Sequence, residues 1–390
     1  MSSPANGALD AFLDAADERR TRLGLVRTLV PRGPVDGDGG SNGESCAELL
    51  DLAGNDYLGL LTHPDVIEGA VQAARAYGGG AGASRLVTGH LRLHDEIESA
   101  LAEHMGTPAA LVLSTGYHAN LAALSALTDA NTLVVSDAHA HASLIDGARL
   151  SRAQVAVARH GDVEHVEELC AARGEWRVVI VVESVYSVLG DAAPLADLVA
   201  VAERHDATLL VDEAHGLGVV GDRGEGLVAA TGFAGHPRVV VTVTLSKSLA
   251  SQGGAVLASS RVRDHLVNAA RPFIYDTGLA PAAAGAALAA LRVLQSDSSL
   301  PIAVRTNAAR LAAACGVAPV AGAVLSVPMP GPDEALAGVA RAAQVGVRVG
   351  CFRPPSTPDG DSRLRLTAHA HHSEADLAPA LTVLREIIGS

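Results

Sequence analysis

One basic residue differs in kind from all the others in this sequence. Lysine and arginine together number 29, and Lys247 is the only lysine. Arginine stays protonated at any accessible pH, whereas its surroundings can deprotonate a lysine amine, which then attacks a carbonyl carbon. Chance survival of one lysine in a biased composition is the alternative explanation. We predict instead that Lys247 forms a Schiff base.

Two predicted strands place an acidic group near this lysine. Strand Thr208–Val211 is followed by Asp212, and strand Val239–Leu245 is followed by Ser246 and Lys247. Because ligands of a parallel sheet bind beyond the carboxyl ends of its strands, we expect both side chains in one crevice. Pyridoxal 5′-phosphate (PLP) needs a lysine for its Schiff base and often a carboxylate for its pyridine nitrogen. The pair therefore predicts a PLP site, with a helix N-cap as the ordinary alternative for the acidic residue.

Other polar residues follow the same predicted strand ends. The segment Ser114–Asn120 is typical of a strand–turn–helix, and Gly116 lets backbone donors at the helix start approach a phosphate. His215, one turn beyond the acidic residue, either reaches the phenolic oxygen of PLP or only packs. His139 and His141 have the spacing of a metal pair, but no third ligand of matching type lies nearby. We therefore expect no metal, and we favour stacking of His141 on an aromatic ring.

Two polar clusters lie near the C-terminus. Arg363 and Arg365 alternate along a predicted strand and share one of its faces. That face is either exposed to solvent or grips a substrate carboxylate with planar guanidinium groups, and spacing alone does not decide between the two. We expect His369, His371 and His372 to form a solvated turn.

The chain predicts an α/β fold with a mostly parallel central sheet and helices on both faces. Short apolar segments rich in β-branched residues alternate with helical ones, which is typical of such sheets. The predicted strands are Ala109–Ser114, Thr132–Ser136, Val155–Ala158, Val178–Val182, Thr208–Val211 and Val239–Leu245. Helices are predicted between them, including Val163–Ala172 and Leu195–His205. Weaker strands near the end predict a smaller α+β domain, at Gly322–Val327, Val345–Val349 and Arg363–Leu366.

These elements divide the chain into three predicted parts. Residues 1–50 form an N-terminal helix and linker arm, residues 51–281 a large PLP-binding domain, and residues 282–390 a small C-terminal domain. Within the arm, periodicity predicts an amphipathic helix over residues 9–30. The Pro- and Gly-rich segment Pro31–Gly43 predicts a loop.

Composition excludes several classes of partner. A net charge of −14 argues against nucleic-acid binding, which needs a basic surface. No apolar run approaches the roughly 18 residues of a membrane span, and the N-terminus lacks a signal pattern. The cysteines have no metal or redox spacing, and they are Cys46, Cys170, Cys315 and Cys351. We expect a cytoplasmic enzyme that acts on small molecules.

Eight segments, in this order, make the chain similar to the α-oxoamine synthases. These fold type I PLP enzymes condense an amino acid with an acyl thioester and release CO2. The matching segments are AGNDYLGL (Ala53–Leu60), GASRLVTGHLRLHDEIE (Gly82–Glu98), STGYHAN (Ser114–Asn120), HASLIDGARLSRA (His141–Ala153), ESVYSVLGD (Glu183–Asp191), VDEAHGLGVVG (Val211–Gly221), TLSKSLASQGG (Thr244–Gly254) and FIYDTGLAP (Phe273–Pro281). The resemblance extends from about Leu9 to the C-terminus.

The resemblance implies a role for each residue at the predicted ring site. Lys247 would be both the Schiff-base lysine and the base that moves the α-proton. Asp212 would pair with the ring nitrogen, and His141 would stack on the ring. His215 and Ser187 would approach the oxygen side of the cofactor.

The resemblance also implies a phosphate site, a substrate site and a homodimer with a shared active site. Gly116, Tyr117 and Thr244 would line the phosphate, and a neighbouring subunit would supply Thr277. The residues expected around substrate or product are Arg27, Asn55, Ser84 and Arg365.

One segment indicates a branch of the family. Cys351–Thr367 is most similar to the branch that condenses L-alanine with a pimeloyl thioester, on coenzyme A or acyl carrier protein, in biotin biosynthesis. The alternatives are sister branches of the glycine C-acetyltransferase and 5-aminolevulinate synthase types, and those using serine with a long acyl-CoA. An aminotransferase is a further alternative. A PLP-binding regulatory module is disfavoured, because we expect no DNA-binding domain ahead of the first helix.

Overall fold

The structure is a computed structural model that describes residues 7–23, 25–27, 29, 31, 33, 49–354, 357 and 359–389. The chain forms two compact units, Met1–Ala47 and Glu48–Ser390. The predicted division at residues 50 and 281 stays a prediction.

Helix α1 (Ala8–Arg22) lies in the first unit, and none of its residues is buried. The predicted helix over residues 9–30 is therefore too long. The sequence has Gly24 just beyond the observed end, and glycine disfavours helix because it loses the most backbone freedom. The predicted loop Pro31–Gly43 lies outside the described residues, apart from residues 31 and 33.

A seven-stranded sheet forms the centre of the second unit. Its strands are β2 (Ala109–Leu113), β3 (Thr132–Asp137), β4 (Gln154–Ala158), β5 (Arg177–Glu183), β6 (Thr208–Asp212), β7 (Val239–Thr244) and β8 (Gly254–Ala258). They lie in the order β2-β8-β7-β6-β5-β3-β4. All neighbours pair in parallel except β8, which runs antiparallel to both β2 and β7.

Both faces of this sheet are buried. Along β6, Leu209 and Val211 belong to one apolar cluster, whereas Leu210 between them belongs to another. Because successive side chains of a strand point to opposite faces, the two clusters lie on opposite sides of the sheet. The predicted α/β class with a mostly parallel, doubly covered sheet is confirmed.

The helices of the second unit connect and cover the strands. They are α2 (Pro64–Tyr77), α3 (Arg92–His104), α4 (Gly116–Leu127), α5 (Ala142–Leu150), α6 (Val163–Ala171), α7 (Leu195–Arg204), α8 (Leu227–Ala230), α9 (Ser260–Ala269), α10 (Arg271–Ile274), α11 (Pro281–Ser296), α12 (Ser299–Cys315), α13 (Pro332–Gln344) and α14 (Glu374–Gly389). Where the chain is described, no helix combines the length and the apolar character that crossing a bilayer requires.

A second, four-stranded sheet is built from late strands and one early strand. Its order is β1 (Leu50–Leu52), β10 (Val347–Phe352), β11 (Ser362–Thr367) and β9 (Val324–Met329). β1 pairs in parallel with β10, and the other pairs are antiparallel. The sequence predicted β9, β10 and β11 within a few residues, but it did not predict β1 or β8.

The topology brings polar strand ends to one edge of the large sheet. Asp137 ends β3, Glu183 ends β5, and Asp212 ends β6. Glu183 and Asp212 are directly opposite each other in the register. Lys247 follows β7, which pairs in parallel with β6. These four residues therefore lie beyond the carboxyl ends of adjacent parallel strands, where such sheets bind ligands.

Candidate active site

Lys247 begins a chain of hydrogen bonds that leads away from the sheet edge. Its Nζ lies 2.8 Å from Nε2 of His215, and Nδ1 of His215 lies 2.7 Å from the hydroxyl of Tyr57. Burial lowers the pKa of His215 well below its usual value, and the nearby Lys247 and Arg365 lower it further. The imidazole is therefore neutral and carries one N–H. It donates to one of its two neighbours and accepts from the other.

The amine of Lys247 is tuned by opposing effects. Burial lowers its pKa from 10.5 to about 8, while the carboxylate of Asp212 acts to raise it. Loss of hydration disfavours the charged ammonium, and nearby negative charge favours it. The result is an amine that loses its proton near neutral pH, as a nucleophile or a base requires.

Asp212 is held by neighbours on several elements. Its Oδ2 accepts a hydrogen bond of 2.7 Å from the side-chain amide of Asn120 on α4. Its Oδ1 accepts one of 2.9 Å from the backbone N–H of Ala214. The carbonyl oxygen of Asn120 accepts a bond of 2.6 Å from the hydroxyl of Thr242 on β7. The carboxylate is thus fixed by α4 and by the turn after β6, and β7 holds Asn120 in place.

The same network reaches His141. The second amide hydrogen of Asn120 is donated to the hydroxyl of Ser143, 2.8 Å away, and that hydroxyl lies 2.7 Å from Nδ1 of His141. His141 is the N-cap of α5, where its ring accepts the backbone N–H of Ser143. Burial lowers the pKa of His141, while the charge of Asp212 opposes this and that of Lys247 adds to it. The structure thereby brings together three predicted residues.

Arg365 is buried, so its strand face is not exposed to solvent. Its Nε donates to the carbonyl oxygen of Ser187 at 2.7 Å, and its Nη2 lies 3.4 Å from Oδ1 of Asn55. Its guanidinium carbon lies 5.5 Å from the ring centre of Phe352. Asn55 also accepts a bond of 3.1 Å from the hydroxyl of Tyr57. The predicted residues Arg365, Ser187 and Asn55 therefore lie together. They are close to Tyr57, which is bonded to His215.

Glu183 is a buried carboxyl that the site leaves half satisfied. Its Oε2 accepts the backbone N–H of Ser187 at 3.0 Å. Its Oε1 has no hydrogen-bond partner within the described part of the chain. Burial and, to a lesser extent, the neighbouring Asp212 raise its pKa to about 8, while Lys247 opposes the rise. A carboxyl that holds its proton at neutral pH keeps a hydrogen-bond donor in the crevice.

The start of α4 offers backbone donors close to β7. Thr115 caps the helix by accepting the N–H of His118. The N–H groups of a first helical turn have no partner within the helix, and they attract anions. A Cβ atom on Gly116 would lie 2.8 Å from Cβ of Thr244, so glycine is needed for this approach. The structure thus places Gly116 and Thr244 side by side, as predicted for a phosphate site.

Four predicted residues lie outside these contacts. Tyr117 is partly exposed, and its hydroxyl donates to Asp146. Thr277 is exposed, and its N–H donates to Asp276, which also accepts the hydroxyl of Ser114. The carbonyl oxygen of Ser84 accepts the N–H groups of Val87 and Gly89. Arg27 is exposed and belongs to the unit Met1–Ala47. The proposed roles of all four stay predictions.

The histidines near the C-terminus differ from the prediction. His369 and His372 are buried, so the expected solvated turn is wrong for both. Nδ1 of His369 lies 2.7 Å from the carbonyl oxygen of Asp56, and Asn307 donates to both histidine carbonyl oxygens. Distant parts of the chain therefore cover them. Across the described ranges, no group of three or more histidine, cysteine or acidic side chains has the arrangement of a metal site.

Five site residues were not among the predicted ones. They are Tyr57, Asn120, Ser143, Glu183 and Thr242. Glu183 directly follows the predicted strand Val178–Val182, and Asn120 ends the motif of the predicted phosphate turn. Those positions were available signals in the sequence. Thr242 and Ser143 have no local signal, because only the fold brings them to Asn120.

The residues present fit PLP. Lys247 supplies an amine of lowered pKa, and Asp212 supplies a fixed carboxylate near it. The first turn of α4 supplies N–H donors for a phosphate, beside the hydroxyl of Thr244. These are the three functions that a protein provides to this cofactor. Fold and site together define a PLP-dependent enzyme of fold type I.

Comparisons with known proteins agree with this class. Residues 47–384 match the family described as aminotransferase class I and II. A serine palmitoyltransferase from Sphingomonas wittichii has a similar structure, with a TM-score of 0.88 and 30% identity over 98% of both chains. An 8-amino-7-oxononanoate synthase from Francisella tularensis has a TM-score of 0.76 over 87% of this chain and 98% of its own. Its identity of 23% shows the fold alone.

Full-length relatives specify the group. An 8-amino-7-oxononanoate synthase from Mycolicibacterium smegmatis is 53% identical over 97% of both chains. One from Mycobacterium leprae (strain Br4923) is 51% identical over 100% of this chain and 98% of its own. The chain therefore belongs to the aminotransferase class I and II family, in the group of the 8-amino-7-oxononanoate synthases. The predicted family, cofactor and acyltransferase class are confirmed.

Proposed function

We propose that the chain condenses L-alanine with a pimeloyl thioester in biotin biosynthesis, forming 8-amino-7-oxononanoate, the free thiol and CO2. The carbon–carbon bond forms between the α-carbon of alanine and the thioester carbonyl carbon. The carbon–sulfur bond breaks and releases the thiol, and the alanine carboxylate leaves as CO2. The observation that supports this most directly is Lys247, 2.8 Å from His215 in a chain that is 53% identical to an enzyme of this name.

Bound PLP supplies an electron-withdrawing ring that stabilises negative charge at the α-carbon of an amino acid. Lys247 would hold it covalently, and Asp212 would keep its ring nitrogen protonated. His141, fixed through Ser143, would cover one face of the ring. The N–H groups at Gly116 and Tyr117 and the hydroxyl of Thr244 would bind its phosphate. His215 and Ser187 would lie on its oxygen side.

Lys247 would also move the α-proton. The free amine of Lys247 would keep its position beside His215. Its pKa of about 8 leaves a substantial neutral fraction at physiological pH, so the amine accepts a proton from carbon. The neutral His215 donates or accepts one hydrogen bond at this amine and keeps it oriented.

Arg365 would bind a carboxylate of the substrate or product. Two of its nitrogens are already oriented by Ser187 and Asn55, which leaves the other N–H groups of the planar fork for an incoming anion. The cation is desolvated by its burial, so an anionic partner is strongly favoured. Arg27 and Ser84 are the further residues that we propose around the substrate.

We also propose a homodimer in the cytoplasm, with an active site that two subunits share. Thr277 is exposed, and the segment around it contacts Ser114, two residues before Gly116. A second copy that contributes Thr277 to a neighbouring phosphate site is compatible with that exposure.

The test is thiol release from a matrix of amino acids and acyl donors. The PLP-loaded enzyme is mixed with alanine, glycine or serine, and with acetyl-, succinyl-, pimeloyl- or palmitoyl-CoA, or with pimeloyl-acyl carrier protein. Release with alanine and a pimeloyl donor, together with the expected product mass, supports the proposal. Release only with glycine or serine and another acyl group would assign the chain to a sister reaction.

A further inference from the structure

His160 lies next to the candidate active site and connects two segments that carry its residues. His160, just beyond β4, has a carboxylate on each ring nitrogen. Its Nδ1 lies 2.8 Å from Oδ1 of Asp137, and its Nε2 lies 3.0 Å from Oδ2 of Asp191. The His160 side chain is 19% exposed, and that of Asp137 is 6% exposed. No step of the proposed reaction uses this ring.

The two short contacts determine the protonation of the ring. An ionised carboxylate only accepts hydrogen bonds, so both ring nitrogens of His160 must donate. A neutral imidazole has a single N–H, whereas the imidazolium ion has two. The geometry therefore requires a cationic His160 between two anions, and each of the two bonds is charge-assisted.

The groups around His160 favour the same state. Burial alone would lower its pKa, but the hydrogen bonds and charges of Asp137 and Asp191 raise the pKa to about 9. The ring of His139 stacks on it at 3.9 Å, and burial lowers the pKa of His139, so this neighbour stays neutral. Tyr186 contacts it edge-on at 4.4 Å, as a protonated phenol. Asp359, which interacts with His139, adds a further negative charge.

One of the two carboxylates shapes the turn that leads to His141. Asp137 accepts the backbone N–H of His139 at 2.7 Å and that of Gly161 at 3.0 Å, and its own carbonyl oxygen accepts the N–H of Ala140. His141 follows directly and caps α5. The position of Asp137 therefore fixes where the α5 cap begins.

The other carboxylate belongs to the hairpin that presents Ser187. The carbonyl oxygen of Asp191 accepts the N–H of Tyr186, and Val185 pairs with Ala192 across the hairpin. Within this hairpin, the carbonyl oxygen of Ser187 accepts Nε of Arg365. His160 is thus hydrogen-bonded to both the turn before His141 and the hairpin that orients Arg365.

We propose that His160 is a positioning residue whose two hydrogen bonds hold the His141 turn and the Ser187 hairpin at a fixed separation. The expected effect on catalysis rests on the proposed function, in which His141 contacts the cofactor and Arg365 binds the substrate. His160 touches neither, and it acts through Asp137 and Asp191.

The kinetic test compares His160→Gln with His236→Gln in the PLP-loaded enzyme. Glutamine is neutral and donates to only one of the two carboxylates. His236 is a fair control, because its side chain is 21% exposed and contacts Glu203, but it precedes β7 at the opposite edge of the sheet. We expect kcat/KM for the amino acid to fall about tenfold or more in His160→Gln and to stay near wild type in the control. Equal values of kcat/KM in the two variants would overturn the proposal.

A second variant guards against a folding defect. Asp191 is 46% exposed, so Asp191→Asn removes one negative charge without opening the core. NMR of histidine-labelled protein follows the His160 ring, which is assigned by its loss in His160→Gln. The wild-type ring should be doubly protonated at neutral pH and titrate near 9, and the titration should move to lower pH in Asp191→Asn. A wild-type ring that titrates near 6.5 would contradict the proposed clamp, meaning the two hydrogen bonds by which a cationic His160 joins Asp137 to Asp191.

Thermal unfolding tests the same clamp without any substrate. Because the pKa of His160 is higher in the folded than in the unfolded chain, its stabilising effect is complete below about pH 6.5 and is lost as pH rises through about 9. The Tm difference between wild type and His160→Gln should therefore shrink over that interval. A difference that does not change with pH would refute the charge of His160.

The two proposals fail in distinguishable ways. If wild-type enzyme releases no thiol from alanine and pimeloyl donors, the proposed function fails, and the kinetic comparison is made with the pair that the enzyme does turn over. The NMR and unfolding results still decide the clamp in that case. If wild type is active as proposed but His160→Gln behaves like His236→Gln, only the clamp fails.

Discussion

At the scale of single residues, Lys247 must satisfy two demands. It needs a neutral amine, yet it lies close to Asp212, whose negative charge favours the charged form of the amine. With an ordinary pKa of 10.5, fewer than about one molecule in a thousand would be neutral at pH 7. With the pKa lowered to about 8, roughly one in ten is neutral. Burial beside His215 therefore supplies most of the reactivity of this residue.

Removing the amine should abolish both anchoring and proton transfer. In Lys247→Ala we expect thiol release to fall by about 10²–10⁴-fold and the reducible Schiff-base absorbance band to disappear. Lys247→Arg keeps the positive charge and should be equally inactive, since guanidinium does not form a Schiff base. A Schiff-base band that survives in either variant would disprove the assignment of Lys247.

The negative charge of Asp212 should matter more than its shape. We expect Asp212→Asn to lower kcat by about 10²–10³-fold, because a neutral amide does not hold a ring nitrogen protonated. Asp206→Asn is a matched control, since Asp206 is exposed just before the same strand, at its other end. Steady-state rates at saturating alanine measure the difference. Wild-type kcat in Asp212→Asn would exclude this role.

At the scale of elements, one amide joins α4, α5, β6 and β7. Asn120 donates to Asp212 and Ser143 and accepts from Thr242. In Asn120→Ala three buried polar groups lose a partner, so we expect unfolding to require about 1–3 kcal/mol less. The control is Asn268→Ala, whose amide only donates to an exposed backbone oxygen in α9. Denaturant titration of both variants checks this, and similar losses would argue against a special role of Asn120.

The Ser187 hairpin depends on one glycine. Gly190 has φ +79°, and a Cβ there would lie 2.0 Å from the carbonyl oxygen of Val324. Gly346 has φ +82° with nothing near that position. Gly190→Ala should therefore lower Tm by several degrees more than Gly346→Ala, because both are strained but only one clashes. Equal Tm values would show that the hairpin tolerates displacement.

The sequence predicted what local pattern and strand ends can specify. The strands β2 to β7 were located within a residue or so, since their apolar runs are short and bounded by turns. Contacts between distant segments were not predictable in this way. Asn120 and Asp212 are 92 positions apart, and Tyr57 and His215 are 158 apart. The burial of His369 likewise depends on Asp56, far away in the chain.

At the scale of the whole molecule, an active site shared between two subunits can be tested by mixing two inactive variants. Lys247→Ala and Thr277→Ala chains are each expected to have low activity. In mixed dimers, one site would combine an intact Lys247 with an intact Thr277 from the other subunit. Activity should recover to roughly a quarter of wild type after random subunit exchange of equal amounts. No recovery would indicate that Thr277 acts within its own chain, and full activity of Thr277→Ala alone would show that it has no role.

The solitary lysine also has a consequence for handling the protein. A protease that cuts only after lysine has one target, the bond between Lys247 and Ser248, and cleavage would give residues 1–247 and 248–390. That bond lies in a turn where Ala250 donates to the Lys247 carbonyl oxygen and Ser248 is buried, so the native chain does not present it in extended form. Digestion therefore reports the fraction of molecules in which the centre of the sheet has opened.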